Sequence, residues 1–133
     1  MIDSHCHLND PKILEVLPEV LARARAAGVN RFIVPGYDLT SSMKAVELAP
    51  THEGVYAAVG IHPHEADSYT DEVEEKLGEL LSWKEVVSVG EIGLDYYYDN
   101  SPREKQREVF IRQLKLAKRF GKPVVIHSRD AFL

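Results

Sequence analysis

Short runs of β-branched and small apolar residues recur along this chain, and each except the last leads into a stretch whose apolar residues repeat at helical spacing. The runs are "MIDSHCHL" (1–8), "RFIVPGY" (31–37), "GVYAAVGIHP" (54–63), "EVVSVGEIGLDY" (85–96) and "KPVVIHSRD" (122–130). This alternation constrains the fold more than any other feature. Strands separated by a helix pair in parallel, so the pattern predicts an α/β protein of βα units, with five strands and four helical connections. An open doubly wound sheet satisfies that count, and so does the first part of a (β/α)8 barrel.

The connections carry their own punctuation. Asn9 or Asp10 is placed to cap a first helix with Pro11 in its opening turn. Ile13, Leu14, Leu17, Val20, Leu21 and Ala24 then share a stripe that ends at Gly28. Pro18 lies inside that stripe and predicts a kink or a split into two pieces. The segment "TSSMKAVELAP" (40–50) reads as a short helix stopped near Pro50. "DEVEEKLGELLS" (71–82) turns Leu77, Leu80 and Leu81 inward and acidic residues outward. The fourth helix opens on Ser101, Pro102 and Glu104, which predict a capping box with Ser101 as N-cap. Phe110, Leu114, Ala117 and Phe120 are expected on its buried face, with Lys115, Lys118 and Arg119 near its end and Gly121 closing it.

At 133 residues, 44% hydrophobic, the chain has the size and composition of one folded domain rather than a disordered segment. A formal net charge of −5 excludes the broad basic footprint of a module that holds nucleic acid through phosphates alone, although bound divalent ions would reverse the local sign. Cys6 is the lone cysteine, so no disulfide forms within the chain, and a reducing compartment is the easier expectation. With no apolar run of signal-peptide or membrane-spanning length, the expectation is a cytoplasmic protein that does not enter a membrane.

The polar residues able to do chemistry fall at the C-terminal ends of the expected strands, the rim where parallel α/β folds collect ligands. They are His5 and His7 on the first, His62 and His64 after the third, Glu91 and Asp95 on the fourth, and His127 and Arg129 on the fifth. Residues two apart on a strand point the same way, so His5 and His7 face together while Cys6 faces the helices. By the same period Val87, Val89 and Glu91 share a face, as do Val125 and His127. Imidazole and carboxylate suit zinc, manganese or iron, and a site richer in carboxylates and water also suits magnesium. Each residue has a plainer reading when taken singly. H-x-H occurs at strand ends without a metal, Glu91 is able to pair with a helix cation, His127 and Arg129 make an ordinary polar rim, and His64 caps the acidic segment behind it. His52 precedes its strand and is read as surface. Their joint placement on one rim favours a metal site.

"IDSHCHL", "GIHPHEA", "VGEIGLDYYYD" and "SPREKQREVFIRQLKLAKRFGKPVVIHSRDA" together resemble the N-terminal half of the TatD family of metal-dependent deoxyribonucleases, within the amidohydrolase-like (β/α)8 hydrolases. The resemblance covers essentially residues 1–133 and implies an incomplete TIM-barrel domain of strands one to five. It implies that His5 and His7 bind one metal ion, that Glu91 bridges it to a second, and that His127 ligates the second. Catalytic roles fall to Glu91 and His62, with His62 meeting a phosphate at the cavity mouth. His64, Asp95, Tyr96 and Arg129 are implied to shape substrate binding. The implied activity is hydrolysis of DNA phosphodiesters from the 3′ end with two divalent ions, magnesium in function and zinc or manganese as alternatives.

The family pattern has two more ligands, a histidine on a sixth strand and an aspartate on an eighth, beyond Leu133. A barrel of this type needs ~250 residues. The chain is therefore expected to hold part of a two-metal site, to bind metal incompletely and to be weakly active, as a fragment or as a half-barrel that self-associates through open sheet edges. A related barrel hydrolase acting on C–N or ester bonds is the other reading.

Overall fold

A computed structural model describes residues 1–132; Leu133 lies outside the described residues. Five strands form one parallel sheet: β1 (Ile2–Asp3), β2 (Arg31–Pro35), β3 (Val55–Val59), β4 (Val86–Asp95) and β5 (Val124–Arg129). Their spatial order is β1-β2-β3-β4-β5, identical to chain order. A doubly wound sheet reverses direction at a switch point, and here there is no reversal, so the sheet curls as the first half of a (β/α)8 barrel.

The described residues contain five α-helices where the sequence pattern predicts four, because the first splits into α1 (Pro11–Leu14) and α2 (Leu17–Ala26). Pro18 sits in the opening turn of α2, where a missing N–H breaks no intrahelical bond. Asp10 is the cap of α1, its carboxylate accepting from the Lys12 N–H at 2.8 Å. Asn9 does not cap; its buried amide donates to the carbonyls of Pro35 and Ser41 and ties this loop to the next. The chain continues through α3 (Leu39–Leu48), a 3-10 turn (Pro63–Ser68), α4 (Asp71–Leu81) and α5 (Arg103–Phe120). Leu17, Leu21, Phe32, Val34, Val59, Leu77, Leu81, Val89 and Ile92 are among the residues packed between sheet and helices.

Four local expectations are corrected. The first strand is two residues long rather than spanning 1–8, and His5 and His7 lie beyond it. The Cys6 N–H still donates to the Ile33 carbonyl at 3.1 Å, so the chain stays beside β2. On β4, Val87, Val89 and Glu91 do not share one face. Val89 is fully buried in the core, while Val87 and Glu91 are partly exposed. Register shifts on both sides of Val89, against β3 and against β5, insert residues that break the two-residue period.

The capping box at α5 does not form. Pro102 is the N-cap and makes no side-chain bond, while the Ser101 hydroxyl donates to the His64 carbonyl at 3.1 Å and accepts from the Asp67 N–H. The buried face of α5 is also rotated from the apolar stripe. Gln106, Val109, Gln113, Leu116 and Ala117 are buried, and Phe110, Leu114 and Phe120 flank them partly covered. Both glutamines act as backbone partners. Gln113 accepts from the Ile61 N–H at 2.8 Å and donates to the Ile61 carbonyl at 3.0 Å. Gln106 does the same for Asp95, at 2.8 and 3.0 Å, and also donates to the Ser101 carbonyl. Each amide satisfies groups that would cost about 1–3 kcal/mol if buried unpaired.

Candidate metal centre

The residues just past the C-terminal ends of β1 and β3 converge with Glu91 and Asp95 of β4 and His127 of β5. The His5 and His7 rings lie 5.0 Å apart, edge to face, on the exposed side of the segment after β1. Cys6 between them points the other way and its thiol donates to the Ile33 carbonyl. Burial, and then the charge of Asp3, pushes that thiol up to about 12 against the opposing hydrogen bond, so at neutral pH it is no thiolate ligand.

Glu91 lies where β4 breaks register with β5, and its backbone N–H donates to the Gly36 carbonyl. Its two carboxylate oxygens face opposite groups: Oε2 is 3.6 Å from His5 Nε2, and Oε1 is 3.2 Å from His127 Nδ1. Among the described residues, two triplets offer ligand atoms that all lie within 4.8 Å of one another, His5–His7–Glu91 and His62–Glu91–His127. Glu91 belongs to both.

His127 is held from both sides. Its Nε2 lies 2.9 Å from Asp95 Oδ2, and Asp95 is fully buried. Burial alone would push the Asp95 carboxyl up. The Tyr98 N–H and the two imidazoles of His127 and His64 donate to it, outweigh burial, and hold it well below the usual carboxylate range. An ionised carboxylate only accepts, so the His127 proton resides on Nε2. With a single ring proton on Nε2, the Nδ1 lone pair faces Glu91 Oε1, acceptor against acceptor. A cation between them, or a second proton, resolves that contact.

Asp95 has no acceptor capacity to spare. Oδ2 also takes the His64 Nε2–H at 2.9 Å, and Oδ1 takes the backbone N–H groups of Tyr97 and Tyr98 at 3.2 and 3.0 Å. Its contacts hold two imidazoles and the start of the Tyr97–Tyr98 loop in place.

His62 is buried and lies 4.3 Å, ring to ring, from both His64 and His127. It caps the 3-10 turn, its Nδ1 accepting from the His64 N–H at 3.1 Å, which is the capping role the plainer reading gave to His64. Burial first, then His127 and His64, pushes the imidazole down to about 4, with Glu91 and Asp95 opposing. The ring is therefore neutral at neutral pH and, with Nδ1 accepting, carries its proton on Nε2. That makes it a donor toward an anion and, despite its proximity, not a metal ligand through Nε2. A shallow cavity of about 330 Å³ is lined by His7, Tyr37, His62, His64, Glu65 and Glu91.

The remaining site candidates separate. Arg129 reaches over the Tyr98 ring at 5.4 Å, beside the cluster. Tyr96 turns away, stacked under Arg103 at 4.5 Å and accepting from Arg107 at its hydroxyl. Its neighbours Tyr97 and Tyr98, which the strand-end reading passed over, stand at the rim instead. Their signal in the sequence is composition: two aromatics outside any apolar period.

The donor set of two imidazoles, a shared carboxylate and a further oriented imidazole fits divalent ions such as zinc, manganese or magnesium. Comparison with known proteins agrees in kind. A family model described as "TatD related DNase" matches residues 2–133. The curated "Uncharacterized metal-dependent hydrolase YabD" of Bacillus subtilis is 41% identical over 131 residues, 98% of this chain and 51% of its own length. The "3'-5' ssDNA/RNA exonuclease TatD" of Edwardsiella piscicida is 39% identical over 132 residues, 98% and 51% respectively. The crystal structure of YJJV, a TatD homolog from Escherichia coli K12, superposes with a TM-score of 0.90 at 39% identity, over 98% of this chain and 51% of that one. The chain thus spans about half the length of the curated relatives it matches.

Proposed function

Since the chain belongs to the TatD-related DNase family, we propose that it carries the β1–β5 part of a two-metal phosphodiesterase that removes nucleotides from the 3′ end of DNA. The observation that supports this most is Glu91, whose two oxygens face His5 and His127 from a single carboxylate. A shared carboxylate is what two neighbouring ions require of a protein.

In this reading His5, His7, Glu91 and His127 would hold the ions, with Glu91 placed between the two histidine groups, and Asp95 fixes the His127 proton on Nε2. Two divalent ions, magnesium in function or manganese or zinc in their place, supply an activated water and neutralise charge on the phosphoryl group when bound. His62 donates its Nε2–H to a phosphate oxygen at the cavity mouth, and being neutral it does not compete with the ions for charge. Arg129 lies where a second phosphate would pass. The net charge of −5 is no obstacle, since the ions attract the strand end locally. No helix among the described residues is long and apolar enough to cross a membrane, and Cys6, held as a neutral thiol, suits the reducing cytoplasm.

The site is partial in this proposal, so the chain binds metal incompletely and turns over slowly. Removal of nucleotides from 3′-labelled single-stranded DNA in magnesium or manganese, beside a full-length relative, is the test. Turnover equal to the relative sinks the partial-site reading, and absence of any manganese binding by titration sinks the metal centre itself. Self-association through the sheet edges is a second reading, favoured by Ile2 on β1 and Ile126 on β5, exposed by 53% and 56%. A metal-free dimer on a sizing column supports it, and a monomer across concentration refutes it.

A further inference from the structure

Tyr97 and Tyr98 are two large aromatic side chains left in water, exposed by 63% and 54%, in the loop between β4 and α5. Neither belongs to the buried core, and unlike partly buried Tyr96 neither lies under the Arg103 guanidinium. They are nevertheless held. The Asp95 carboxylate accepts both of their backbone N–H groups, and Gln106 fixes the Asp95 backbone in turn. Their rings meet at right angles, 4.7 Å apart. Tyr98 also stands edge-on to His64 at 5.6 Å, with the Arg129 guanidinium 5.4 Å from its centroid. The pair is therefore one imidazole removed from His62, whose Nε2–H is available to an anion, and it comes with its own cation.

We propose that Tyr97 and Tyr98 form a stacking platform for an unpaired nucleobase at the strand end, with Arg129 facing the adjoining phosphate. This rests on the phosphodiesterase reading of the neighbouring site and specifies its substrate. Every nucleobase has a π-face, so such a platform binds without regard to sequence. A base inside a duplex already has both faces covered and must be unstacked at a cost of a few kcal/mol before it meets a protein ring. The platform thus favours unpaired bases over bases inside a duplex. Anchoring the base beside His62 and Glu91 also positions the linkage next to it.

Binding measured without turnover tests this directly. A fluorescent single-stranded oligonucleotide with a phosphorothioate 3′ linkage, in magnesium, is compared with the same strand ending in an abasic nucleotide. Wild type is expected to bind the base-bearing strand more tightly. Tyr97→Ala and Tyr98→Ala are each expected to weaken that binding by about 5- to 100-fold, while abasic binding and manganese affinity stay unchanged and Tyr98→Phe retains wild-type behaviour. Equal wild-type affinity for the two strands overturns the proposal. So does an equal loss for both strands in the alanine variants, which would mark a structural or phosphate role. A base preference in a wild-type chain that cleaves no phosphodiester leaves the platform standing while the phosphodiesterase reading falls.

Discussion

Asp95 and His127 meet through Oδ2 and Nε2 at 2.9 Å, and this contact decides which nitrogen of His127 faces Glu91. A fully buried carboxylate that accepts four N–H groups is a fixed acceptor. The imidazole beside it has one tautomer.

Asp95→Asn should therefore damage the metal centre more than the fold. An amide keeps an acceptor for the Tyr97 and Tyr98 N–H groups, yet it no longer demands the proton on His127 Nε2. Manganese affinity at the His127 side is expected to fall by about 10- to 100-fold. Titration by calorimetry measures it, and nitrogen chemical shifts of the His127 ring show the change of tautomer. An unchanged tautomer would remove Asp95 from this role.

Glu91 and His7 should differ in reach. Glu91→Gln takes an anionic oxygen from both triplets, whereas His7→Ala touches one. Calorimetric titration with manganese should lose one binding event in His7→Ala and be weakened at both in Glu91→Gln. A Glu91→Gln titration that loses no more than His7→Ala contradicts a shared carboxylate.

The buried His62 makes stability depend on pH in a stated direction. Its folded value lies near 4 and its unfolded value near 6.5, so between these the unfolded chain binds the extra proton and acidification destabilises the fold. The loss is fully absent above about 6.5 and approaches a ceiling of about 3 kcal/mol as pH nears 4. Asp95, held low, adds its own loss only below the usual carboxylate range. Urea melts in chelator at several pH values should show the slope between 6.5 and 4 in wild type, and a shallower one in His62→Gln.

Gln106→Leu and Gln113→Leu test the two backbone clamps. Each substitution keeps an apolar volume but abandons a buried N–H and carbonyl, and is expected to cost about 2–5 kcal/mol. Denaturant midpoints at constant m-value measure this. A neutral effect at Gln113 would mean that water replaces the amide at Ile61.

Much of the frame was legible because it depends on period and punctuation. β-branched runs alternated with helical stripes, Pro18 divided a helix, and Asp10 capped one. The grouping of His5, His7, Glu91 and His127 followed from strand ends, and it survived even though β1 stops at Asp3. What stayed hidden depended on partners distant in sequence. Gln106 and Gln113 lie outside the expected apolar stripe of Phe110, Leu114, Ala117 and Phe120, and the groups they satisfy lie 11 and 52 residues away. Ser101 looked like a cap but is engaged by the loop of His64. The paired register shifts around Val89 leave no trace in a two-residue period. The four N–H groups that meet at Asp95 were hidden too, because nothing in the sequence counts its donors.

The glutamine clamps have a bearing on how such a protein changes over time. Gln113 and Gln106 grip Ile61 and Asp95 by main-chain atoms, and the positions that follow, His62 and Tyr96 to Tyr98, are carried at the ends of those gripped segments. A main-chain grip is indifferent to which side chain comes next. Substitutions at the rim can accumulate and trade one ligand or one substrate preference for another, while the helix that holds the rim need not be reinvented. Diversity of chemistry and constancy of frame are thereby assigned to different parts of the same chain.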